Sequence, residues 1–224
     1  MYPKHVARSN CNFSAYLDIA IKHYQQAKNM FIILKTIDNT ERDPSSEHQM
    51  YDEIYISIVF SSMAVESFLN DYAATCLDDD FFYDNFDKLS VISKFCLISN
   101  FILNVKVDKA KSYYFLLKEL ERERNLLVHN KSKSASHLGY TKDEYLEIKK
   151  QKEEGLLPEY LQINLIEIKK DLLKAFKGIK CLYEITLFFD KYDINIWANK
   201  RLFRPDCKGN DIDYNDICNE LQSK

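Results

Sequence analysis

Apolar side chains recur at three- and four-residue spacing between residues 12 and 37, through Phe13, Tyr16, Leu17, Ala20, Tyr24, Ala27, Phe31 and Leu34. That period matches a helical turn and predicts an amphipathic helix. Thr40, Asp43, Pro44 and Ser45 interrupt it, so 39–46 reads as a loop. A second stripe of Ile54, Ile58, Ser61, Val65, Phe68 and Tyr72 predicts a long helix over 47–76, in which Ser62 and Ala64 let another helix come close. The run Asp78, Asp79, Asp80 marks a break. Asp87 or Ser90 then caps a shorter helix reaching residue 100, with Leu89, Ile92, Phe95 and Cys96 turned inward.

A fourth helix is predicted over 108–131, its inner face made by Tyr113, Leu116, Leu117, Leu120, Leu127 and Val128. The stretch 132–158 mixes Lys, Ser, Gly139, Gly155 and Pro158 and reads as a loop with a short helical piece near 143–152. A last helix over 162–192 aligns Ile163, Ile166, Leu173, Phe176, Ile179, Tyr183, Thr186 and Phe189. Gly178 inside it costs about 1 kcal/mol relative to alanine. Beyond residue 192 the chain is polar and weakly periodic apart from Ile196, Trp197, Leu202 and Phe203. The expected fold is an all-α bundle of about five helices, three of them long. It comprises a helical domain over 1–192 and a C-terminal tail over 193–224 that docks on the bundle or binds a partner.

Composition narrows this further. Only 4 Gly and 4 Pro occur in 224 residues, too few for the turns of a many-stranded sheet or for a glycine-rich phosphate loop. A hydrophobic share of 46% supports a real core and excludes global disorder. The net charge of -3 gives no overall positive field for nucleic acid, so any such binding is local. Six cysteines stand singly, at 11, 76, 96, 181, 207 and 218, with no paired spacing for zinc or redox work. Without a basic and apolar leader, reduced thiols in a cytoplasm are expected. The longest apolar run, 54–64, falls short of the ~20 residues of a membrane span, so no membrane partner is expected.

One segment carries chemistry. Arg124, Asn125, Leu126, Leu127, Val128 and His129 end the fourth predicted helix. On a continuous helix Arg124 and His129 stand about 140° apart around the axis, while Asn125 sits one turn before His129 on the same side. Imidazole titrates near neutrality and moves protons, and guanidinium stays charged and grips phosphate with a fork of donors. An RNA substrate supplies its own nucleophile, the ribose 2'-hydroxyl, leaving proton transfer and charge stabilisation to the protein. Arg-x4-His with Asn second arises by chance about 0.01 times in a chain of this composition. His5, His23, His48 and His137 are isolated, and no Ser-His-Asp, H-E-x-x-H, EF-hand or Walker pattern is present.

At these residues the chain resembles the HEPN superfamily (higher eukaryotes and prokaryotes nucleotide-binding), whose signature is Arg, a polar residue, three variable residues and His near a helix end. The resemblance implies a helical bundle that dimerises so that two motifs face each other in a composite endoribonuclease site without metal or cofactor. It implies catalytic roles for Arg124, Asn125 and His129, an RNA substrate, a second copy of the chain as partner, and a toxin or phage-defence setting with an antitoxin or regulatory protein. The segment Ala64 to Asn70 is similar to the acidic helix of many members, and Glu66 is a candidate to orient Arg124. Lys131 and Lys133 are candidates for flanking phosphates. They belong to a stretch from 106 to 133 with eight Lys or Arg against four acids, either an RNA track or a solvated helix face. Tyr113 and Tyr114 stack on bases or pack in the core. The alternative function is a non-catalytic helical interaction module, in which Arg124 pairs with Glu119, Glu121 or a carboxylate of a neighbouring helix and His129 merely caps the helix C-terminus.

Overall fold

The computed structural model describes residues 12–37, 44–77, 79–129, 150, 165–193, 202–203, 217 and 219–221. It is all-α, as the periodicity requires, with no strand among the described residues. Helix α1 spans Phe13–Thr36, α2 Pro44–Leu77, α3 Asp79–Asn85, α4 Val91–Leu97, α5 Ser112–Val128 and α6 Leu165–Tyr192. A π-helical turn, Ile98–Ile102, extends α4. The expected helical piece near 143–152 lies outside the described residues, apart from Lys150.

Helix α5 ends at Val128 rather than near residue 131, and three starts differ from expectation, each for a local reason. Helix α2 starts at Pro44, inside the expected loop, because proline's fixed φ suits a first helical turn and its missing N–H has no partner to lose there. Helix α3 opens at Asp79, where only a break was expected, and the carboxylate of Asp80 falls in its first turn, where an acid is favourable. Helix α5 starts at Ser112 rather than near Asp108: Asp108 Oδ1 accepts the Ala110 N–H at 3.0 Å, a turn that competes with helix. Of the two proposed caps for α4, Ser90 takes the role, its Oγ accepting the Ser93 N–H at 3.2 Å.

Helices α1 and α2 form an antiparallel pair, registered by Phe13 on Phe68, the Ser57 hydroxyl donating to the Ala20 carbonyl at 2.9 Å, and His23 paired with Glu53. Helix α6 lies against α1, α2 and α5. It runs antiparallel to α5, with Ser112 bonded to Glu184, Glu119 to Lys177 and Glu123 to Lys174. An aromatic cluster closes one end: Phe189 meets Phe68 and Tyr72 edge-on at centroid distances of 5.1 and 4.8 Å, and Phe188 meets Phe95 and Tyr113 at 5.2 and 5.0 Å. Such pairs add ~0.5–1.5 kcal/mol each beyond burial. In the C-terminal segment Leu202, Phe203, Ile217 and Leu221 are buried, Phe203 stands edge-on to Tyr183, and Glu220 accepts from Tyr24 and Lys28. Among the described residues no helix is long and apolar enough to cross a membrane.

Gly178 marks the tightest crossing. A Cβ there would stand 2.9 Å from Ser61 Cβ on α2 and 3.2 Å from Leu120 Cδ1 on α5. The helix cost of glycine is therefore offset by the close approach of three helices. Gly178→Ala should destabilise the protein by about 1–3 kcal/mol through overpacking, despite alanine's better helix propensity. Urea unfolding curves for the two forms measure this.

Candidate functional site

The Arg-Asn-x3-His segment sits at the C-terminal end of α5. Val128 is the last helical residue, and His129 leaves the helix with φ -108° and ψ 39° while its N–H still bonds the Asn125 carbonyl at 3.0 Å. That departure carries the imidazole away from the continuous-helix position, and the Arg124 guanidinium reaches it. Arg124 Nη1 donates to Asn125 Oδ1 at 3.0 Å and lies 3.4 Å from His129 Nε2. Because guanidinium only donates, Nε2 faces it as an acceptor, and in this arrangement the ring proton belongs on Nδ1. Asn125 and His129 are exposed and Arg124 is half-buried. All three catalytic candidates thus meet on an open helix end.

The supporting candidates fare differently. Glu66 does not bond Arg124. Its Oε1 instead accepts from Lys94 Nζ at 2.9 Å, and the Lys94 side chain is only 1% exposed. The carboxylate placed near Arg124 is Glu121, one turn earlier on α5. Burial, then the charge of Glu66, push its carboxyl above the ordinary carboxylate value, opposed by the Val91 backbone amide and by Arg124. The cause is geometric: α4 lies against α2 and presents Lys94 to Glu66. Glu119 is engaged by Lys177, so it is not the partner of Arg124 either. Lys131 and Lys133 lie outside the described residues.

Sequence reasoning missed Lys94 altogether and gave Glu121 only a structural part. A lysine between Ser93 and Phe95 looks solvated; only the tertiary packing buries it. For Glu121 the signal was available in its three-residue spacing from Arg124. Tyr113 packs on Phe95 and Phe188 and is not free for base stacking. Of the basic residues on α5, Arg122 pairs with Glu123, while Lys118 is exposed. Phe115 (62% exposed) and Leu126 (58%) stand on the same outward face as Arg122, at 100° per residue.

A cavity of about 550 Å³ opens between α1 and α6, lined by Tyr24, Phe31, Leu172 and Phe176 with Lys28 and Glu220 at its edge. It shares no residue with the α5 site. The fold and the site together define a helical bundle with a guanidinium–imidazole pair at a free helix end. No family model, no curated protein and no solved structure matches the chain.

Because these side chains carry little of the packing, Arg124→Ala and His129→Ala should each change stability by no more than about 0.5 kcal/mol. Thermal melts followed by circular dichroism check this, and a large loss of stability would reassign the pair to a structural role.

Proposed function

We propose that the protein is a metal-independent endoribonuclease of the HEPN type, acting as a homodimer. The observation that carries this reading is the 3.4 Å approach of Arg124 to His129, with Asn125 anchoring the guanidinium, on a solvent-open helix end. Arg124 binds the scissile phosphate and offsets the charge that develops on it. His129 moves the proton. The 2'-hydroxyl attacks the adjacent phosphorus, the 5'-oxygen leaves, and the products are a 2',3'-cyclic phosphate and a 5'-hydroxyl.

A single helix end is too open to hold a polymer in one geometry; two copies facing each other supply two guanidiniums and two imidazoles. The exposed Leu126 and Val128 within the motif support a covered face. We place the protein in the cytoplasm as a toxin or antiphage effector restrained by an antitoxin or regulatory protein. The rival reading, a non-catalytic interaction module, draws on the same exposed apolar side chains.

Total cellular RNA incubated with the protein in excess chelator separates the two. Cleavage leaving cyclic phosphate ends is expected, and Arg124→Ala and His129→Ala should each lower it by ~10²- to 10⁴-fold. Full activity in either variant would overturn the roles assigned here. No cleavage by any form would favour the module.

A further inference from the structure

The cavity between α1 and α6 has no part in the chemistry above. Its volume of about 550 Å³ falls among small-molecule sites, which commonly hold ~300–1,000 Å³. Its walls are aromatic and aliphatic: Tyr24, Phe31 and Ile32 from α1, and Ile166, Leu173 and Phe176 from α6. Where the two walls meet, the rings of Tyr24 and Phe176 stand 5.7 Å apart. Ile32, Ile166 and Leu173, by contrast, are 52%, 69% and 52% exposed. Ile166 and Leu173 belong to the apolar stripe that the spacing of α6 turns inward, and here that stripe faces an open cavity. Single exposed apolar side chains are ordinary, but three lining one cavity mark a binding surface.

Charge decides the kind of ligand. Lys28, Lys169 and Lys170 line the cavity against one carboxylate, Glu220. At 100° per residue Lys169 and Lys170 flank the line of Ile166 and Leu173, one on either side. Lysine stems lie along apolar surface while their ammonium groups stay in water, so this wall is apolar within and cationic at its rim. Lys28 is bonded to Glu220, and Lys170 to Glu167 at 2.6 Å. Lys169 has no ion-pair partner among the described residues. The rim already holds one carboxylate, since Glu220 accepts from the Tyr24 hydroxyl at 3.0 Å and from the Lys28 ammonium.

We infer that this cavity binds a single-chain amphipathic carboxylate, an aliphatic chain with one anionic end. The chain lies between α1 and α6 against Phe31, Leu173 and Phe176, and Lys169 holds the carboxylate at the rim. An uncharged chain of the same length gains the apolar contacts but leaves Lys169 without a partner. A cationic one meets three ammonium groups of its own sign. Binding here involves no RNA, so it stands apart from the ribonuclease reading.

The full chain is titrated by calorimetry with dodecanoate, dodecanol and dodecyltrimethylammonium, each below its micelle concentration. One dodecanoate per chain is expected, with dodecanol about 3- to 5-fold weaker and the cation weaker still. Lys169→Gln should bring dodecanoate down to the affinity of dodecanol, and Lys169→Arg should keep the difference. Leu173→Asp sets a carboxylate against the bound chain and should weaken dodecanoate by ~10-fold or more. Both positions are exposed, so the fold should survive, with circular dichroism as the check. Should Leu173→Asp fail to fold, Ile166→Asp on the same wall carries the test. The inference is overturned if dodecanoate does not bind, if all three ligands bind equally, or if Lys169→Gln or the wall variant leaves its affinity unchanged. It is also overturned if the chain binds no dodecanoate but dimerises through this face, seen as a sedimentation shift lost in Leu173→Asp.

Discussion

The close approach of α2, α5 and α6 around Gly178 is the constraint on which the rest of the molecule depends. Three helices meet where Ser61, Leu120 and Gly178 would be forced apart by one added methyl group. Interiors are packed at crystal density, so that contact fixes how α5 can slide and rotate on the two helices beneath it. With Leu116, Leu117 and Leu120 buried on the inner side, the outward residues of α5 are decided. Arg124 and His129 fall at the free end of that same helix.

Polar pairs around α5 refine this placement without being its cause. Glu119 with Lys177 and Glu123 with Lys174 tie α5 to α6 through part-buried ion pairs. Their more telling effect is on the availability of partners. Glu119 and Glu123 are occupied by lysines of α6, and Glu66 is occupied by Lys94, which leaves Glu121 as the carboxylate beside Arg124. The guanidinium is thus bonded to Asn125 on its own helix and close to His129 just past the helix end.

Much of the fold was legible because helical burial writes itself into spacing. Leu17, Ala20, Tyr24, Ala27 and Leu34 were read as one face of α1 and are buried there, as are Ile54, Ile58, Ser61, Val65, Phe68 and Tyr72 on α2. The last helix was less accurate. Ile179, Thr186 and Phe189 are buried, but Ile166 and Leu173 are exposed, because α6 is covered by α1, α2 and α5 over only part of its circumference. Val128 is likewise exposed at the end of α5. Ends are where periodicity misleads, since the start of α2 at Pro44, the opening of α3 and the delayed start of α5 each depend on a cap or turn of a few atoms.

The linear order of residues determined that this chain is helical, which faces of its long helices turn inward, and that Arg124, Asn125 and His129 share one helix end. Those properties depend on neighbours within about one turn, so spacing alone contains them. Tertiary structure decided the rest: that Lys94 is interior, and that it and not Arg124 takes Glu66. Which carboxylate meets which cation is settled by the packing of helices α2, α4, α5 and α6, contacts between residues up to 58 positions apart in the chain, and no local pattern carries that information.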